Sequence, residues 1–119
     1  MKKNRDILHL LHIRDAIERI ELYAKTLTFS QFEKAELEFD AIMMQIIVIG
    51  EAVNSLSDEF KGSHPKMPWY QAVGLRNQTA HGYFDINPKI VWETIKEDLP
   101  VLKIQLKKIL AALKDKEQV

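Results

Sequence analysis

With 119 residues, 46% of them apolar and 29% charged, the chain is sized and composed for one globular domain over residues 1–119, not for a disordered segment. Its 17 basic and 17 acidic residues cancel, which argues against gripping long nucleic acid through a basic stripe, so any such contact must be local. The absence of cysteine excludes disulfides, thiolate catalysis and thiolate-held zinc, and fits a reducing cytoplasm.

The opening "MKKNRDILHL" starts basic, but His9 and His12 break its apolar run, so it does not read as a signal peptide. Ile7, Leu10, Leu11, Ile13, Ile17, Ile20, Tyr23, Ala24 and Leu27 recur three and four apart, with Asp6, Arg14, Asp15, Glu18, Arg19 and Glu21 between them. That spacing predicts an amphipathic helix of about five or six turns, the strongest periodic signal in the chain. "TLTFS" interrupts it, and Ser30 with Glu33 forms a candidate capping box for a short helical turn.

From Ala35 to Leu56 the β-branched "IIVI" resembles a buried strand, but its flanks "KAELEFDAIMMQ" and "EAVNSL" lack turn residues, so length favours one helix. Being apolar nearly all round, that helix belongs at the centre of a bundle or between the core and a dimer seam. Its most apolar part, Ala41 to Gly50, contains Gln45 and is too short to cross a bilayer, so no membrane association is expected. Gly50 costs roughly 1 kcal/mol relative to alanine in a helix interior, which predicts a close helix contact there.

"DEFKGSHPKMP", with Gly62, Pro65 and Pro68, reads as the one substantial loop. Pro68 suits the first helical position of "PWYQAVGLRNQTAH", and Gly82 suits the left-handed residue that ends it. Asn87 and Pro88 form an N-cap and first-turn pair for a final helix striped by Ile95, Leu99, Leu102, Leu106, Ile109 and Leu113, which Pro100 should kink or split. The expected architecture is an all-α, up-and-down bundle of four to five helices with short connections.

Several scattered residues invite weaker readings. His9 and His12, three apart on one helix, lack a third fixed metal ligand and read as ordinary helix residues, so no metal is assigned. His64 has no evident partner, and Glu51 reads as a partly buried structural carboxylate. Trp69 and Trp92 read as core anchors, Met43 and Met44 as gap-fillers, and "LKKILAALKDKEQV" as a solvated face.

The stretch that fits none of these roles is "GLRNQTAHGYFDINP", which sets Arg76, His81 and Tyr83 within eight residues. On a regular helix Arg76 and His81 stand about 140° apart, but ending the helix near His81 lets the imidazole swing back, and alternation past Gly82 sets Tyr83 on its side. A guanidinium fork suits phosphate oxygens, and an imidazole exchanges protons near neutrality. Together they suffice to cleave RNA: His81 takes the ribose 2′-hydroxyl proton while Arg76 steadies charge on the phosphate, and no metal or cofactor is needed. The structural alternative leaves Arg76 in an ion pair, His81 capping the helix end and Tyr83 half-buried.

"LRNQTAHGY" resembles the Arg-x4-His-x-Tyr motif of HEPN-domain proteins of the HepT type, encoded beside minimal nucleotidyltransferases of the MNT type. "DILHLLHIRDAIERI", "IGEAVNSLS" and "PWYQAVGLRN" are similar to that family's first helix, its Ile-Gly-Glu-Ala helix and the approach to its motif. The resemblance covers about Asp6 to Leu113 and implies a metal-independent endoribonuclease toxin of a type VII toxin–antitoxin pair. By position, Arg76 and His81 match the catalytic pair, and Asn77 the supporting polar residue. Tyr83 matches the tyrosine that the nucleotidyltransferase antitoxin adenylylates. The family's motif lines a cleft between two protomers, so a homodimer acting on RNA, not DNA, in the cytoplasm is implied. A different class, a non-catalytic nucleotide- or substrate-binding subunit of the nucleotidyltransferase, uses the same residues to bind phosphate. A purely structural helical dimer needs none of them.

Overall fold

Why the longest periodic stripe becomes the centre of the molecule is visible in the computed structural model, which describes residues 2–65, 67 and 86–117, with side chains over 5–65, 67 and 86–114. Helix α1 (Lys2–Ala24) turns Leu10, Ile13, Ile17 and Ile20 wholly inward. Helix α2 (Phe29–Phe32) follows, then α3 (Glu36–Ser55), α4 (Asp58–Ser63) and α5 (Pro88–Glu93). A π-helical turn (Thr94–Asp98) joins α5 to α6 (Leu99–Glu117). The described residues form helices and no strand, the all-α architecture expected. No helix among them is long and apolar enough to cross a membrane.

α1 lies between α3, its most extensive neighbour, and α6, and the buried stripes of all three interlock. The "IIVI" stretch is helical: Ile46 and Ile49 are buried, and Ile47 and Val48 are half-buried. Burial of each such side chain contributes roughly 1.5–3 kcal/mol, more than the small helix-propensity deficit of a β-branched residue. Gly50 is buried in the same helix. Of the two methionines read as gap-fillers, Met43 is buried in the core, whereas Met44 is 58% exposed. Glu51, expected to be partly buried, is exposed, because it falls on the solvent side of α3.

The short helix α2 begins two residues earlier than the Ser30–Glu33 pairing implied. Thr28 accepts from the Gln31 N–H at 3.2 Å, and the Gln31 side-chain oxygen accepts from the Thr28 N–H at 3.0 Å, the reciprocal pattern of a capping box. That start aims Phe32 into the core, where its ring lies 5.1 Å from Trp92 and 5.4 Å from Phe39. The four-residue helix therefore clamps α3 to α5, and Trp92 is the anchor expected.

A larger correction concerns the supposed loop: Asp58 to Ser63 is a helix. The Ser57 hydroxyl accepts from the Phe60 N–H at 3.1 Å, and Asp58 and Glu59 favour the positive end of the helix dipole. Pro65 follows the C-cap His64, marking where the helix stops. Gly62 meets nothing within 4 Å where a Cβ would project, so it needs no glycine.

At the other end Asn87 caps α5 as read, its side-chain oxygen accepting from the Lys89 N–H at 2.9 Å, with Pro88 in the first turn. Pro100 splits the last helix through the π turn. Proline has no N–H to donate and its ring crowds the carbonyl four residues back, so the backbone widens by one residue and Leu99 N–H reaches the Thr94 carbonyl. Beyond it, Leu99, Leu102 and Leu106 resume the buried stripe. Phe32→Ala should cost about 3–5 kcal/mol, read from urea denaturation; a loss under about 1 kcal/mol would show that α2 does not clamp the bundle.

Candidate functional site

Arg76, Asn77, His81 and Tyr83 fall within residues 68–85, outside the described residues. Trp69, the Pro68 helix start and the Gly82 cap lie outside them too. What the structure describes is how the chain is held on either side of that segment. Met67 is 5% exposed and belongs to the core, and Ile86 packs against the core just before the Asn87 cap. Both flanks of the motif-bearing segment are thus anchored by apolar burial.

The leading flank carries a second anchor, which sequence reasoning missed. Asp6, 5% exposed, accepts from the Ser57 N–H at 2.9 Å and from the Ser57 hydroxyl at 2.8 Å. The same hydroxyl accepts from Phe60 N–H, so one serine couples the first turns of α1 to the start of α4. The carboxylate and hydroxyl satisfy each other in a part-buried setting, and every buried side-chain polar atom among the described residues has a partner. The signal was present: Asp6, Leu10, Ile13 and Ile17 are spaced four, three and four apart, which sets the aspartate on the buried face.

Two open cavities flank α6. The first, of about 620 Å³, lies between the C-terminal half of α1 and the π turn, with Glu18, Glu21, Lys25, Lys96 and Lys103 around Leu22 and Pro100. Two of its lysines are engaged: Lys103 Nζ is 2.8 Å from Glu21 Oε1, and Lys96 Nζ stands 4.6 Å over the Trp92 ring. The second, of about 450 Å³, lies between the end of α4 and the middle of α6, lined by Ser63, His64, Pro65, Met67, Gln105, Lys108 and Ile109. His64, which the sequence leaves without an evident partner, lies against Phe60 with ring centroids 4.6 Å apart.

No group of three or more His, Asp or Glu side chains among the described residues is gathered to hold a metal ion. His9 and His12 place their rings 6.3 Å apart edge to face, with His12 exposed.

Comparison with known proteins bears directly on the segment between the anchors. Residues 13–109 match a family model described as "Ribonuclease HepT-like", a span that includes 68–85. The chain is 37% identical over 102 residues to "Putative RNase TTE0752" of Caldanaerobacter subterraneus subsp. tengcongensis, covering 86% of this chain and 91% of that protein. It is 33% identical over 101 residues to "Probable ribonuclease HepT" of Thermococcus cleftensis, covering 85% and 92%. No solved structure matches the chain. Asp6→Ala, which strands the Ser57 N–H and hydroxyl, should lower stability by about 1–3 kcal/mol; thermal unfolding measures it, and an unchanged midpoint would mean the tie holds nothing.

Proposed function

The chain belongs to the ribonuclease HepT-like family, and on that footing we propose that it is a metal-independent endoribonuclease toxin of a type VII toxin–antitoxin pair, acting in the cytoplasm. The observation that carries this reading is the spacing of Arg76, His81 and Tyr83 inside the span matched by the family model. In the proposed reaction His81 takes the proton of a ribose 2′-hydroxyl, and the freed oxygen attacks the adjacent phosphorus. The bond to the 5′-oxygen breaks, and that oxygen leaves with a proton, giving a 2′,3′-cyclic phosphate and a 5′-hydroxyl. Arg76 meets the non-bridging oxygens as their charge grows, and Asn77 supports it. The nucleophile belongs to the substrate, so no metal has to generate one.

Silencing follows from the neighbouring phenol. A partner nucleotidyltransferase joins the Tyr83 oxygen to the α-phosphorus of a nucleoside triphosphate and releases pyrophosphate. The attached AMP sets bulk and negative charge two residues from His81, where an RNA phosphate has to approach.

The homodimer is part of the same reading. Leu37, 79% exposed, and Met44, 58% exposed, share a stripe of α3 with the half-buried Ala41 and Val48. An apolar stripe facing outward from a helix already packed on its other side suits a second copy of the chain. A dimer doubles the local basic pair across its axis, which answers the zero net charge.

RNA should be cut equally with and without EDTA, 2′-O-methyl RNA should survive, and His81→Ala should lower the rate about 10²–10⁴-fold. Cutting of the methylated strand, or full activity in His81→Ala, excludes the mechanism; RNA binding without any cutting favours the binding-subunit alternative. Met44→Glu should convert dimer to monomer in light scattering; an unaltered dimer mass places the seam elsewhere.

A further inference from the structure

The cavity between α4 and α6 differs from its neighbour in one decisive respect. The first cavity sets two glutamates among its lysines. The second has no carboxylate among its described lining residues, and its formal charge is the Lys108 ammonium. Gln105, Lys108 and Ile109 stand at i, i+3 and i+4 on α6, so all three face the end of α4 together. Lys108 makes no ion pair and the Gln105 side chain no hydrogen bond among the described residues. Ser63 donates its hydroxyl to the Glu59 carbonyl at 3.0 Å, so towards a ligand its oxygen can act only as an acceptor.

Below these polar groups lies an apolar floor. Met67 is 5% exposed and Ile109 is half-buried, while the His64 ring packs against Phe60 with the two planes inclined at 41°. A flat heterocycle gains from such a floor: methionine sulfur and aliphatic carbon pack on its face, and a fixed aromatic ring extends the stack. A volume near 450 Å³ falls within the usual range for small-ligand sites. An apolar slot for a planar ring, an amide for its edge and an isolated ammonium for an anion are together the requirements of one nucleotide.

We propose that this pocket binds a single nucleotide of the RNA strand, with its base over Met67 and Ile109 beside His64, its edge at Gln105 and its phosphate at Lys108. The proposal rests on the ribonuclease reading for the source of the nucleotide, and its placement has a basis in the chain itself. Met67, which floors the pocket, precedes Arg76 by nine residues, so one short segment links this pocket to the motif. Gln105 and Lys108 are positioning residues here: they hold the strand while the chemistry happens elsewhere.

Binding of a short 2′-O-methyl RNA to the wild-type protein, followed by fluorescence anisotropy across a salt series, separates the possibilities, with AMP and inorganic phosphate as further probes. Lys108→Ala should weaken the RNA about tenfold and reduce the slope of log K against log salt by about 0.7, the loss of one phosphate contact on a single strand. Gln105→Ala should weaken the RNA and AMP while leaving the salt slope unchanged. Both variants should raise KM for RNA with kcat preserved and an unaltered unfolding midpoint. Unchanged RNA affinity and salt slope in Lys108→Ala overturn the proposal even where cleavage is robust. AMP binding that Lys108→Ala abolishes while the RNA is unaffected overturns the assignment to a strand. RNA binding lost in both variants of a protein that cuts nothing leaves the pocket standing and removes the ribonuclease reading.

Discussion

The burial of one face of α1 against two partners at once is the constraint from which the rest of this fold follows. Leu10, Ile13, Ile17 and Ile20 are sealed between α3 and α6, so neither helix can shift without exposing a surface that the other also needs. Asp6 continues the same face one turn further, and its carboxylate fixes Ser57. The short helix α4 is held at its start by this polar tie and, beyond its end, by the burial of Met67. Met67, the last described residue before the motif-bearing segment, is consequently located by the core of the bundle, through contacts far from it in sequence.

The proline in the last helix has a comparable reach. Pro100 prevents a regular helix, and the π turn it accompanies shifts α6 in register relative to α5. After the turn Leu99, Leu102 and Leu106 again face α1, while Trp92 before it faces α2. The two helices thereby reach different parts of one continuous core. The break also opens the groove beside α1, where Glu21 and Lys103 close on each other.

Much of this was legible in the sequence, for identifiable reasons. The stripes of α1, α3 and α6 follow from spacing, and Asn87–Pro88 marks a helix start by local chemistry alone. The misreadings arose where two local signals competed. Thr28 with Gln31 and Ser30 with Glu33 both satisfy the capping pattern, and only the burial of Phe32 selects the first. Gly62 and Pro65 suggested a loop, yet the glycine is merely tolerated in α4 and the proline ends it. Asp6 was read as a solvent-facing charge because its partner lies 51 residues away. The reading of the motif rests on residue type and spacing, the family model spans it, and its side-chain geometry belongs to residues outside those described.

A chain with no net charge that handles RNA must win its affinity from few contacts placed well. Counterion release scales with the number of phosphates neutralised, so a site with one or two cations gains little from it and loses little in salt. Stacking fills that gap, because every base offers the same face to an apolar floor whatever its sequence. A carboxylate at such a site would cancel its lone cation, which gives the absence of acidic side chains among the described lining residues a physical meaning in a protein as rich in acid as in base. The mixed charges beside Pro100 have a different consequence. Ions that close on each other, as Glu21 and Lys103 do between α1 and α6, add little to stability and leave little field for a strand to follow.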